Sequence, residues 1–393
     1  MKNTIPARAV RIFGLGAFIG SAILAAQTVE VLDGVRIVHN GKVGRWGAAP
    51  QVSIELVRKI GDVDTTDENL AFNEPGDIVE DGQGNIYVAD AGNYRIQKFN
   101  KDGKFVVSLG RKGQGPGEFS SLRSLNIDAE DRLYVFDSNS RVLKVLSADG
   151  KEIKSVRFLT TFFYGLRLMK NGYFLVCETN GGPRPLSPKI LLKMIDDKAV
   201  DRGEFGLPVD FGEAITNQVG NSISTAAGPD GWVAVSFKYQ NRIEKYTAGG
   251  KLVWKADRPL NFDTKVIEKG KFEMTATTTS YKTPKMNLCS NGVAVDDSGR
   301  VWTLTYSRQI KPEEEIRISQ SGDRNGITTK REGNTELRTT DMYQLEVFDT
   351  DGFLLGVIPL KQFVDGIWIF KDRLYLLDRD RGVSYSQFRI VTR

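Results

Sequence analysis

Polar turns and alternating apolar strands recur six times along the chain. The fullest copy runs Gly84-Asn85-Ile86-Tyr87-Val88-Ala89-Asp90, breaks at Ala91-Gly92-Asn93-Tyr94, resumes as Arg95-Ile96-Gln97-Lys98-Phe99, and closes on Asn100-Lys101-Asp102-Gly103. The opening turns of the six copies read Asp81-Gly82-Gln83-Gly84-Asn85, Ala129-Glu130-Asp131-Arg132 and Lys170-Asn171-Gly172, then Gly228-Pro229-Asp230-Gly231, Asp296-Asp297-Ser298-Gly299-Arg300 and Lys371-Asp372-Arg373. Asp, Asn and Gly suit these places because they tolerate positive φ and bond locally to the backbone. The strands that follow are predicted at 86–89, 133–136, 173–177, 232–236, 301–305 and 374–377. A third and fourth strand follow in five copies, for example 95–99 with 105–109 and 343–348 with 354–359. Each copy is one antiparallel sheet, and a period of about forty to seventy residues belongs to radial or stacked repeats.

The sixth copy ends at 386–391 after only three strands, and a strand without a partner waits upstream at Val52–Ile60. Lending that strand to the last sheet removes an exposed edge. The prediction is an all-β fold, a six-bladed β-propeller of four-stranded blades closed by an N-terminal strand that completes the last blade.

Loop lengths divide the disc into two unequal faces. Turns between third and fourth strands are short throughout (100–104, 148–151, 196–198, 247–251, 350–353), whereas the insertions 179–189, 204–221, 257–290 and 306–342 all fall on the other face. Long loops gathered on one face of a rigid scaffold are the usual place for binding. The mixed charges of 306–342, from Glu313-Glu314-Glu315 to Arg338, suggest a solvated or partly mobile flap. Where first strands begin on that face, the channel mouth is expected to present Asp77, Arg123, Arg167, Asn291 and Asp365 as ligand- or partner-binding residues. The Asp90…Arg95 and Asp137…Arg141 pairs recur with the repeat and read as blade-stabilising bonds.

Composition narrows the chemistry. Lys2, Arg8 and Arg11 precede an uncharged apolar run at 12–26, the pattern of a secretory signal and too short to span a bilayer comfortably. The expected organisation is a signal peptide at 1–26, an N-terminal extension at 27–51 and the propeller at 52–393, with the processed protein in the periplasm or outside the cell and without a membrane span. Three of the +5 net charges lie in that leader, leaving +2 elsewhere, which is poor support for nucleic-acid binding. Cys177 and Cys289 fall in or beside strands of non-adjacent blades and are expected as buried free thiols. The single histidine, His39, lies outside the repeats, so histidine-rich zinc sites and serine–histidine triads within the repeat body are excluded.

The stretch Gly110-Arg111-Lys112-Gly113-Gln114-Gly115-Pro116-Gly117-Glu118-Phe119 with Ile127-Asp128, and Gly92-Asn93-Tyr94-Arg95-Ile96-Gln97-Lys98-Phe99, resemble the NHL repeat. The whole chain resembles exported bacterial six-bladed propellers of that type, and the resemblance implies binding or scaffolding. An exported, non-catalytic protein engaging a protein, peptide or glycan partner through its long-loop face is the function these features predict. The alternative rests on Ser290-Asn291-Gly292-Val293-Ala294-Val295-Asp296, which resembles the strand entry of calcium-dependent lactonase and gluconolactonase propellers. That resemblance implies a Ca²⁺-dependent lactonase- or esterase-like hydrolase with Asp77, Asn221, Asn291 and Asp365 as oxygen ligands at the channel mouth.

Overall fold

Asp81 shows why each repeat reverses where it does. Its carboxylate accepts the backbone N–H groups of Gln83 at 3.0 Å and Asn85 at 2.7 Å. Asp128, Asp196, Asp296 and Asp349 hold their own turns in the same way. A short carboxylate that bonds two and four residues on fixes the turn without help from the rest of the fold.

The computed structural model describes residues 10–12, 27–158, 163–178, 187–275, 279–323 and 326–393. Its strands form six four-stranded antiparallel blades. The innermost strands are Pro75–Glu80, Leu122–Ile127, Phe163–Leu168, Ile223–Ala227, Ser290–Val295 and Gly366–Phe370. The outermost strand of the last blade is Val52–Ile60, antiparallel to Ser384–Thr392 from Thr392↔Val52 to Tyr385↔Ile60. The ring is therefore closed by the N-terminal strand, as the unfinished sixth repeat predicts. Six apolar clusters fill the six gaps between neighbouring blades. Inner and middle strands are consequently apolar on both sides, which accounts for runs such as Ile86–Asp90 and Val233–Phe237 that are buried throughout.

One polar residue interrupts this packing in every blade. Gln97, Lys144, Lys193, Glu244, Glu346 and Gln387 are all buried at the middle of a third strand. They stand opposite Val88, Val135, Val176, Val235, Thr303 and Tyr375 of the second strands. Four of them find a charged partner, on an outer strand, on a neighbouring blade or two residues earlier in the same segment. Lys144 meets Glu152 at 3.3 Å, Lys193 meets Asp201 at 3.0 Å, Glu244 meets Arg242 at 2.7 Å, and Glu346 meets Arg258 at 2.6 Å.

The segment 27–51 does not hang free. Thr28–Leu32 and Val35–His39 make a hairpin whose second strand runs parallel to Leu252–Asp257, the outer edge of blade four. Val10–Ile12 pairs along the hairpin's other edge. Buried Asn40 bonds the carbonyls of Asp257 and Gly352 and the N–H of Leu354. The N–H groups of Arg45 and Trp46 then bond Leu354 and Leu355 on the edge of blade five. Residues of this strap thus reach blades four, five and six in turn.

The insertions carry structure of their own: helix Ala214–Gly220, hairpin Lys271–Met274 with Thr279–Lys282, and hairpin Ile316–Asp323 with Gly326–Gly333. Residues 179–186 of the remaining insertion lie outside the described residues. Among the described residues no helix is long and apolar enough to cross a membrane.

Candidate functional site

The long-loop rim gathers four of the five sequence-designated mouth residues, and two of them are tied to a neighbouring blade. Asp77 Oδ2 accepts the N–H of Leu125 at 3.1 Å, joining blades one and two. The Asn291 amide donates to the Val364 carbonyl at 3.1 Å, joining blades five and six. Arg379 bridges from blade six to the Pro75 carbonyl at 3.2 Å. Arg123 instead projects into solvent. Asp77 and Asn291 therefore align inner strands, a duty the repeat pattern did not disclose.

Asp365 has a different environment. It precedes the innermost strand of blade six, and its Oδ2 accepts the Arg379 N–H at 2.9 Å. Surrounding protein, and then the Asp380 carboxylate, push its pKa up to about 6 against the opposing bond and charge of Arg379. Lys238 follows the second strand of blade four, and its carbonyl accepts the Cys289 N–H at 2.7 Å. Burial and then Arg379 lower its pKa, with Asp365 acting the other way. Tyr306 and Tyr343 pack with ring centroids 4.9 Å apart, and burial first, then charges including Asp365, raise the pKa of both. Half-buried Lys238 and Asp365, with buried Tyr306 beside them, thus form a polar group around one side of the mouth. Tyr306 and Tyr343 were not anticipated. Their positions, the last residue of a second strand and the first of a third, are a signal visible in the repeat register.

Arg167 lies elsewhere. The strand Phe163–Leu168 runs from the long-loop face toward the turn Lys170-Asn171-Gly172, so Arg167 reaches the opposite, short-turn mouth. There a funnel of ≈ 470 Å³ is lined by residues of all six blades, Arg167, Lys170, Trp368 and Lys371 among them.

The proposed ion ligands do not assemble a cage. Asn221 caps helix Ala214–Gly220, its amide nitrogen donating to Val209 O and Asn217 O and its oxygen accepting Val209 N and Gln240 Nε2. Asp77, Asn291 and Asp365 each hold a backbone group of a neighbouring segment. Among the described residues no three His, Cys, Asp or Glu side chains converge on a common point. The donor set does not fit Ca²⁺, and no chemistry is routed through one.

The insertions brace one another across this face. Gly270 N–H donates to Thr216 Oγ1 at 2.9 Å, and the Gln309 amide bonds both N–H and carbonyl of Leu288. Arg308 pairs with Glu314 at 2.6 Å, and Arg381 reaches the Glu314 carbonyl. The Arg308 bond above all holds the Glu314 carboxyl down at about 2. The base of the 306–342 insertion is therefore anchored, in contrast to the loose flap its charges suggested.

The profile of a family described as 6-bladed beta-propeller, DUF5128, matches residues 62–295. The chain belongs to this family. Shorter stretches resemble NHL-repeat proteins. Human E3 ubiquitin-protein ligase TRIM32 is 30% identical over 122 residues, 28% of this chain and 18% of that protein. NHL repeat-containing protein 3 of Mus musculus is 30% identical over 86 residues, 21% of this chain and 25% of the relative. The chain thus spans a quarter or less of the length of these relatives. Among solved structures, a member of the duf4221 family from Bacteroides vulgatus superposes with a TM-score of 0.53 at 10% identity, covering 87% of this chain and 99% of that one. That likeness concerns the fold. The DUF5128 propeller is accordingly of the NHL type.

Proposed function

We propose that this DUF5128 propeller is an exported, non-catalytic binding or scaffold protein that holds a protein or peptide partner on its long-loop face. The observation that carries the reading is the platform's surface. Leu207, Val209, Ile267, Met274, Tyr281 and Ile310 are all exposed, Leu207 at 71% and Tyr281 at 70%, and all lie on the braced insertions. Apolar side chains held in water on a rigid frame gain by covering one another with a partner. Phe272 and Tyr281 stand directly opposite each other in the Lys271–Met274 hairpin, so their rings share one face of it with Met274. The rim of Asp365 and Lys238 lies at the channel mouth of the same long-loop face and supplies polar groups that fix orientation. Export is supported by the basic, then apolar, start of the chain.

A photo-crosslinking side chain placed at Tyr281 or Leu207 should capture the partner from the native extract, whereas one at Asp102 or Asp149 should not. The triple variant Leu207→Ser/Met274→Ser/Tyr281→Ser should melt like the parent and bind the purified partner at least about tenfold more weakly. N-terminal sequencing of the same preparation should begin near Gln27. Crosslinks that map only to the short turns, or a chain that retains Met1, would overturn the partner face or the export respectively.

A further inference from the structure

The short-turn face is free of insertions, yet it holds the funnel on the propeller axis. Its ≈ 470 Å³ fall in the range of small-ligand sites. Most carboxylates in its wall are turned to other tasks, Asp131 by accepting the Gly82 N–H at 2.8 Å, while Asp297 stands exposed at the rim. Asp81 is occupied by Gln83, Asn85 and Tyr87. Asp128 holds Glu130 N, Arg132 and Tyr134, while Asp296 holds Ser298 N, Arg300 and Trp302. Glu80 is clamped by Arg373 and Tyr375 across the seam between blades one and six.

The cations are in the opposite condition. Arg167 is half-buried in the wall and makes no hydrogen bond or ion pair among the described residues. Lys170 and Lys371 stand exposed at the rim, also without an ion-pair partner there. Between them the wall is apolar, with Trp368, Phe370 and Leu168 partly uncovered. A half-buried guanidinium without an anion is an unfavourable arrangement that a carboxylate relieves by paired, charge-assisted bonds. Its planar fork suits a carboxylate better than a lysine would.

We propose that the short-turn mouth of the channel is a second binding site, for a small organic anion with an apolar or aromatic body. The carboxylate meets Arg167, the lysines draw it in, and the ring lies against Trp368 and Phe370. A ligand on the axis touches inner strands of all six blades, so its binding also ties the ring together. The proposal is independent of the partner surface on the opposite face.

Titration of the full chain with 2-naphthoate, followed by calorimetry and tryptophan fluorescence, tests it. Wild type should bind one equivalent, with affinity falling as salt rises. Arg167→Gln should weaken binding at least about tenfold, the loss expected for one charge-assisted pair. Because Arg167 is half-buried, the exposed double variant Lys170→Ala/Lys371→Ala provides an arm that leaves packing intact; it should weaken binding about threefold and flatten the salt dependence. Asp365→Asn, on the other face, should bind as wild type does. Uncharged 2-naphthalenemethanol should compete poorly. Equal binding by the Arg167→Gln chain, equal competition by the alcohol, or no binding by wild type at about 5 mM would overturn the assignment.

Discussion

Replacing Arg258 by methionine should be among the most damaging single changes in this propeller. The guanidinium is fully buried between blades four and five, and its Nε lies 2.6 Å from the Glu346 carboxylate, itself 4% exposed. It also donates to Ser290 Oγ at 2.6 Å, to the Cys289 carbonyl at 3.3 Å and to Asn241 Oδ1 at 3.3 Å. Taking away one member of a buried pair strands the other, at about 3–5 kcal/mol. Two features place Arg258→Met near the lower end, at about 3 kcal/mol. Glu346 keeps bonds from Thr305 at 2.9 Å and Gln344 at 3.1 Å, and the Arg258 Nε–H is not aimed as a hydrogen bond at the carboxylate it approaches. The double variant Arg258→Met/Glu346→Gln leaves no stranded charge and should lose only about 1–2 kcal/mol. Urea unfolding followed by tryptophan fluorescence reads this directly, because Trp254 and Trp302, both fully buried, belong to these two blades. The midpoint should shift with an unchanged slope. A single variant that loses under about 1 kcal/mol, or a double variant that loses the sum of its singles, would refute the reasoning.

Two further outcomes are expected. Asp365 titrates near 6 in the fold, above the ordinary carboxylate value of 3.8, so the folded chain binds this proton more tightly than the unfolded chain does. Its contribution is therefore fully present at low pH and is lost as pH rises through about 6, and Asp365→Asn should raise Tm at pH 7.5 but not below about pH 4; an equal difference at both pH values would contradict it. Cys177 and Cys289 are free thiols whose pKa values burial pushes up to about 11, so a thiol reagent should modify neither until urea unfolds the chain, and rapid reaction of the native protein would count against their placement.

The blades were legible because their signals are local. An Asp-led turn such as that at Asp81 specifies itself over five residues, and an unfinished sixth sheet demands Val52–Ile60. The polar ring of Gln97, Lys144, Lys193, Glu244, Glu346 and Gln387 was hidden for a physical reason. A polar residue in an alternating strand normally marks the wet side, but third strands here are covered on both sides, and partners such as Glu152 for Lys144 or Arg258 for Glu346 stand on other strands, where the alternation does not point. Arg167 was placed at the wrong mouth because its first strand was taken to begin near it, whereas that strand is Phe163–Leu168; its distance from the turn at Lys170-Asn171-Gly172 gives its height in the blade. Asn221 resembles a ligand in sequence, and only the helix beside it shows that its amide is a cap.

The strap has a bearing on when the molecule can fold. Asn40 waits for Gly352, and Glu55 waits for Arg389, partners that lie 312 and 334 residues further on. The strand Val52–Ile60 cannot settle into the ring before nearly the whole chain has been made, and contacts so distant in sequence form slowly. A closing strand that stays unpartnered until the trailing one arrives keeps the ring from snapping shut early. Blades one to three are free to organise early, and the final turn of the ring becomes a latch engaged only once both ends of the polypeptide share the same compartment.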